Sequence, residues 1–254
     1  MKIIKINKQN IDQEHICCSL GNDSKSKKRA QTKKEWLKER FNDGLVFKKF
    51  NERGKMFIEY MPIEKVWKPI KGENFLVINC LWVSGKYKRR GLARQLLGEI
   101  IDEAKEQKKD GIVVVTSTKP KPFLTEREFF KRFGFKIIDT APPYFELMVL
   151  KFNDNAKSPM FSENAKRGIC ANKNEFTFIY ANQCPFIEDS IKNLTKVLKN
   201  KNFSYKIIEL QNYKDAQQIG SPFGTLGIYY NGKLMTHEPM TEKKFKKFLS
   251  KNNE

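Results

Sequence analysis

Histidine is scarce: His15 and His237 are the only two in 254 residues. Cysteine is sparse and unpatterned, with Cys17, Cys18, Cys80, Cys170 and Cys184 forming no C-x-x-C pair. That set leaves no ligands for a structural zinc site, and an odd count at irregular spacing does not read as a disulfide framework. No metal is expected. No apolar run approaches the roughly 20 residues that span a bilayer. The opening Met1-Lys2-Ile3-Ile4-Lys5-Ile6-Asn7 alternates like a strand and lacks the apolar stretch of a signal peptide, so the expected location is cytoplasmic, with no membrane partner. Acidic residues are outnumbered, 29 Asp and Glu against 49 Lys and Arg, for a formal charge of +20. The lysines run along the whole chain among Glu, Asp and Asn. Even the denser stretch at 25–40 reads as solvated helix face rather than a nucleic-acid surface. The net field favours an anionic substrate or cofactor.

What is present is enough apolar material, 39% of residues with 20 Phe, for packed cores, and enough length for two compact domains. Alternating runs between turn residues predict strands at 2–6, 45–50 and 55–60. Periodicity predicts helices at 10–20 and 32–41. From 75 to 83 the chain is an almost unbroken apolar strand. A basic, glycine-containing turn follows, then a helix with Leu92, Leu96, Leu97, Ile100, Ile101 and Ala104 along one side. A buried strand at 112–115 and a helix at 124–132 come next, and further strands flank Pro142-Pro143. Residues 153–172 lose periodicity and are the expected linker. Beyond it the pattern restarts. A strand at 176–181 leads into Cys184-Pro185 and a helix to about residue 199. A strand at 205–210, Ser221-Pro222, a hairpin around Asn231-Gly232 and a helix at 242–249 complete it.

The turn between Val83 and Leu96 carries the chemistry. A buried strand delivers the chain to it and a helix leaves it. The first helical amides lack intrahelical partners and sit at the positive end of the dipole, where an anion is favoured. Gly91 and Ala93 let backbone approach a bulky pyrophosphate, and Lys88, Arg89, Arg90 and Arg94 surround it with positive charge.

Leu81 to Leu97 resembles, without a gap, the acetyl-CoA signature of the GNAT superfamily, Arg/Gln-x-x-Gly-x-Gly/Ala, with Lys88 in the first position followed by Gly91 and Ala93. The strand before it, the helix after it and Gly134-Phe135 fall where that family has them. The resemblance implies an α/β (α+β) GNAT fold with a mixed sheet and acetyl-CoA as donor. It also implies that the pyrophosphate is held by backbone from Arg89, Arg90, Gly91, Leu92, Ala93 and Arg94, with Val83 offering backbone to the pantetheine arm. Two family positions differ. The tyrosine that protonates the departing thiolate in many members is Phe130 here, and an asparagine that often contacts the cofactor is Phe123. Tyr144 and Glu59 are the replacement acid–base candidates. For the acceptor site the candidates are His15, Cys17, Cys18 and Trp82, with aromatic or helical packing as the alternative for each.

The order strand, Cys184-Pro185-Phe186-Ile187, helix, strand, Ser221-Pro222, hairpin, helix looks like a thioredoxin fold. Cys184 would stand at a helix N-terminus, where a thiolate is favoured, and Ile187 replaces the second redox cysteine. Pro222 is the candidate cis proline. The pairing of the two parts is similar to that of bacterial GNAT proteins with a YoaP-type C-terminal domain. The expected organisation is a GNAT domain at 1–152, a linker at 153–172 and a YoaP-like, thioredoxin-fold domain at 173–254. The expected function is transfer of acetyl from acetyl-CoA to a small amine, with a thiol or a polypeptide amine as acceptor also open. The alternative is a CoA-binding or thiol-redox regulator that does not turn over.

Overall fold

The computed structural model describes residues 1–16, 19–173 and 175–252. Its strands are β1 (Ile3–Ile6), β2 (Val46–Phe50), β3 (Met56–Pro62), β4 (Ile70–Lys71), β5 (Phe75–Val83), β6 (Gly111–Ser117), β7 (Lys136–Ala141), β8 (Phe145–Lys151), β9 (Met160–Phe161), β10 (Phe176–Tyr180), β11 (Tyr205–Glu209), β12 (Leu226–Tyr230) and β13 (Lys233–Thr236). Its helices are α1 (Ser24–Arg40), α2 (Leu92–Glu106), α3 (Arg127–Lys131), α4 (Glu163–Arg167), α5 (Ile187–Asn200), α6 (Tyr213–Ala216) and α7 (Glu242–Asn252). No helix among the described residues is long and apolar enough to cross a membrane.

A seven-stranded mixed sheet runs β1-β2-β3-β5-β6-β8-β7. Side chains alternate across it, as strand geometry requires. Ile58, Tyr60, Leu76, Ile78, Ile112 and Val114 pack with Leu92, Leu96, Leu97 and Ile100 of α2 on one face. On the other face Phe57, Met61, Val77, Val113 and Val115 join Trp36 and Leu37 of α1 and a core continuous with residues of β10, α5 and β12.

The sheet is not uniform. β5 and β6 are parallel partners only from Phe75↔Gly111 to Ile78↔Val114. After that β5 pairs only with β3, and β6 only with β8. A β-bulge shifts the β3–β5 register at Glu59/Tyr60, adding one residue to β5 (Asn79) and bending the strand away. A notch therefore opens in mid-sheet, beside the start of α2.

A second sheet, β11-β10-β12-β13, has β10 and β11 parallel and the other pairs antiparallel. Helices α5 and α7 pack on it, and the hairpin turn Asn231-Gly232 has both residues at positive φ, 47° and 77°, as a type I′ turn demands. The stretch expected as a linker carries β9, which pairs with β4, and α4, with Phe161 and Ala165 fully buried.

Several elements depart from expectation. Helix α1 begins at Ser24, capped by the Asp23 carboxylate on the Ser26 amide. The helix expected at 10–20 is a series of turns, and the one expected at 124–132 is only Arg127–Lys131. The one cis peptide among the described residues is Pro142-Pro143, so Pro222 is trans.

Candidate functional site

The basic turn begins where β5 ends. Residues Gly85–Tyr87 form a single 3-10 turn, with Tyr87 buried as an anchor. Arg89 and Gly91 then take positive φ, 61° and 75°, and reverse the chain into α2. The first α-helical bond is Gln95 N–H to Gly91 O at 3.1 Å, so the amides of Leu92, Ala93 and Arg94 lie ahead of it, and no side chain caps them. A Cβ built on Gly91 would meet nothing within 4 Å; the turn has an open outer face. Lys88, Arg89, Arg90 and Arg94 are exposed around it, while the Leu92 side chain is buried against the sheet. Arg94 also lies over the Phe133 ring, 5.5 Å from its centroid. Free amides at a helix start, an open backbone and four cations fit a pyrophosphate.

A cleft of about 470 Å³ continues from Lys88 and Ala93 along Val83, Trp82 and Leu81 to Phe123 and Thr125. It follows the edge of β5 that has lost β6. Thr125 Oγ1 donates to Leu81 O at 3.2 Å across the notch, and Phe123 takes φ 67° to turn its ring outward, 41% exposed. Phe130, in contrast, is fully buried against Phe129 and Phe135.

At the far end of the notch is a second cavity of about 240 Å³. β3 and β5 supply its floor: Phe57 and Glu59 on one strand stand opposite Trp82 and Cys80 on the other. Lys33 comes from α1 and Lys68 from the segment after β3. Gln183, Cys184, Pro185 and Phe186, at the entry to α5, and Phe223 and Thr225, before β12, form the opposite wall. Trp82 and Phe123 line both this cavity and the cleft beside α2.

Glu59 organises the cavity's polar side. Its carboxylate accepts from Lys33 Nζ at 2.5 Å, Gln183 Nε2 at 2.6 Å and Asn79 Nδ2 at 3.3 Å. Lys33 Nζ donates also to Gln183 O at 2.7 Å. Lys33 and Glu59 side chains are 2% and 1% exposed, so this ion pair is among the most buried polar groups of the molecule. Lys68 is buried too and donates to Phe223 O at 2.7 Å. Burial pulls its pKa down to about 8, against the partial support of Cys80, Glu59 and Cys184. Burial and the Glu59 charge push the Cys80 thiol up to about 12, which makes it a poor nucleophile at neutral pH.

The same contacts bolt the two sheets together. Lys28 pairs with Glu188 at 2.8 Å and Arg29 with Asp189 at 2.5 Å, while Arg29 lies 4.7 Å over the Phe186 ring. With Lys33 on Glu59, three cations of the basic stretch at 25–40 are committed to acidic partners at this contact. Gly224 sits at φ 89°, and a Cβ there would lie 2.6 Å from Trp67 O and 2.7 Å from Lys68 Cγ. Only glycine permits that approach.

The other sequence candidates lie elsewhere. Tyr144 does not line the cavity. Its hydroxyl meets His237 Nδ1 at 2.8 Å and its ring lies under Lys121 at 4.2 Å; burial and Glu238 push its pKa up to about 12. His15 accepts from the Gly54 amide at 3.2 Å, its pKa lowered by burial and then by Lys49, away from the cavity. Cys17 and Cys18 lie outside the described residues. Glu59, Trp82 and Cys184 are brought together. Lys33, Lys68, Asn79, Gln183, Phe223 and Thr225 were not singled out from sequence, because a lone lysine or amide carries no local signal of burial.

A model of the acetyltransferase (GNAT) family matches residues 9–135 and a YoaP-like model matches residues 205–247. The chain is 40% identical over 250 residues to the uncharacterized N-acetyltransferase YoaP of Bacillus subtilis (strain 168), covering 98% of this chain and 99% of that one. Among solved structures it is similar to the PaiA N-acetyltransferase of Thermoplasma acidophilum in complex with coenzyme A (17% identity, 60% of this chain, 100% of that one, TM-score 0.43). It is also similar to a GNAT-family acetyltransferase of Staphylococcus aureus Mu50 (19%, 60% and 99%, TM-score 0.42). This chain belongs to the GNAT acetyltransferase family, and it is an acyltransferase.

Proposed function

We propose that this chain moves an acetyl group from acetyl-CoA, held along the turn and cleft from Val83 to Arg94, to a small amine seated between the two sheets. The observation that carries this reading is the notch. One opening in the sheet joins a helix N-terminus suited to pyrophosphate with a cavity between the sheets, and Trp82 and Phe123 stand at the junction. Acetyl-CoA supplies a thioester-activated acyl group. The amides of residues 89–94 and the cations Lys88, Arg89, Arg90 and Arg94 hold its phosphates, and the unpaired edge of β5 at Val83 guides its arm. The cavity walls hold the acceptor beside it and exclude water, which lets positioning supply much of the rate. Glu59, already engaged by three donors, acts in this reading as an organiser of Asn79 and Gln183 rather than as a free base.

The chain divides, in our reading, into an acetyltransferase domain at 1–152, a connecting segment at 153–172 and a second domain at 173–254. The β10-α5-β11-α6-β12-β13-α7 order, with β10 and β11 parallel, supports a thioredoxin-like fold for the last. Cys184 precedes α5 there and faces the acceptor cavity rather than a second cysteine of its own motif.

Thermal denaturation with and without acetyl-CoA tests the donor site. At a hundredfold excess over its dissociation constant the ligand stabilises by ~2.7 kcal/mol. Gly91→Glu places a carboxylate and a strained backbone where phosphate belongs, so wild type shifts and the variant does not. Two folded proteins that both ignore acetyl-CoA would overturn the reading.

A further inference from the structure

The cavity between the sheets is charged in one direction. Among the described residues Lys33, Lys55 and Lys68 line it and Glu59 is its only carboxylate. Glu59 is spent on Lys33, which leaves Lys55 and Lys68 without an acidic partner among the described ion pairs. A cavity so built repels a polycation and attracts an anion.

The cavity also offers hydrogen-bond acceptors. Because Asn79 Nδ2 and Gln183 Nε2 both donate to Glu59, their amide oxygens are turned away from it. Asn79 Oδ1 on the floor, and Gln183 Oε1 and Thr225 Oγ1 on the opposite wall, are buried with no hydrogen-bond partner among the described residues. A buried acceptor left unsatisfied is costly, and a small turn of these side chains toward the cavity they line would let a ligand N–H satisfy them. The rest of the wall is apolar, from Phe57, Trp82, Pro185, Phe186 and Phe223. At about 240 Å³ the space is smaller than the ~300–1,000 Å³ typical of drug-sized ligands.

We propose that the acceptor is a small amino carboxylate with an apolar body, its carboxylate held by Lys68 and Lys55 and its amine directed to the oxygens of Asn79 and Gln183. This rests on the acetyl-transfer reading above and narrows it. A polypeptide N-terminus lacks the carboxylate next to its amine and is a poor fit; polyamines such as spermidine are repelled. A bound carboxylate restores to Lys68 the counter-charge that the empty wall denies it, so binding weakens as pH rises above 8.

The test uses the full chain with three sets of probes: the apolar L-amino acids (Leu, Met, Phe, Trp), their carboxamides, and spermidine. Binding is measured by calorimetry in the presence of CoA, and acetylation with acetyl-CoA. Losing a buried charge-assisted contact is worth about tenfold to a hundredfold in affinity. At least one amino acid is therefore expected to bind and react better than its carboxamide by that margin, with spermidine poorest. Lys68→Met should erase the difference, and Lys55→Met should reduce it, while acetyl-CoA still raises thermal stability. Lys55, at the cavity rim, keeps the test open if the buried replacement impairs folding. Equal or better use of carboxamides or spermidine, no binding by any amino acid, or an unchanged preference in both variants overturns the proposal while leaving the donor site standing. Loss of the acetyl-CoA response in wild type would instead remove the reading beneath it.

Discussion

Replacing Glu59 by Gln tests the buried ion pair at the centre of the molecule. In the variant the Lys33 ammonium keeps the Gln183 carbonyl at 2.7 Å and the Trp36 ring at 4.6 Å, but loses its only counter-charge. Removing one partner of a buried pair costs about 3–5 kcal/mol, because the remaining charge stays desolvated. Against a total stability of ~5–15 kcal/mol, that is a large fraction, and at this chain length it lowers Tm by roughly 6–20 °C. The double variant Lys33→Met, Glu59→Gln removes both charges while the amide oxygen at 59 still accepts from Gln183 and Asn79, and should recover most of the loss. Urea unfolding followed by tryptophan fluorescence reads this directly, because Trp36 touches the pair. Circular dichroism in parallel tests whether the two sheets unfold together. A Glu59→Gln protein within 1 kcal/mol of wild type, or a double variant no more stable than the single, would refute the assignment of Lys33 and Glu59 as a desolvated pair.

Two further outcomes follow from the contact between the sheets. His237 is buried against Tyr144, Phe145 and Phe223, and burial lowers its pKa to about 4. Between pH 6.5 and 4 the unfolded chain binds a proton that the folded one refuses, so its contribution is full above pH 6.5 and fades as pH falls, by up to about 3 kcal/mol. His237→Asn should flatten the acid side of the stability–pH profile by that amount; an unchanged slope would show that His237 is solvated. Gly224→Ala drives a methyl into Trp67 O and strains a φ of 89°. We expect a loss of about 1–3 kcal/mol together with weakened acceptor binding, measured by calorimetry, and an unaffected acetyl-CoA response.

Much of the donor side was legible in the residues. A buried run from Phe75 to Val83, a basic turn with Gly91 and Ala93, and an apolar stripe from Leu92 to Ala104 specify strand, anion-binding turn and helix without help from the rest of the chain. The hairpin at Asn231-Gly232 was readable for the same local reason. Helix α1 was cut short because its first half, Ser24 to Gln31, is lysine-rich and shows no apolar stripe. Its start depends on the Asp23 cap and on Glu188 and Asp189 far along the chain. The helix expected at 124–132 was overestimated because Phe123 turns the chain at positive φ, and only Arg127 onward is helical. The acceptor cavity was nearly invisible. Lys33 and Lys68 look like solvent-facing lysines until Glu59 and Phe223 are brought against them by segments 26 and 155 residues away.

The division of labour around the notch has an evolutionary consequence. On the proposed reading the donor's phosphates are held by one unbroken stretch, residues 83–94, whereas the acceptor's walls are collected from α1, the floor strands and the two turns at 183–186 and 223–225. On that proposal substitutions in those two turns alter which amine is accepted while leaving residues 83–94 untouched. In the same reading phosphate binding rests on one short segment, while acceptor choice is free to drift on a separate part of the gene.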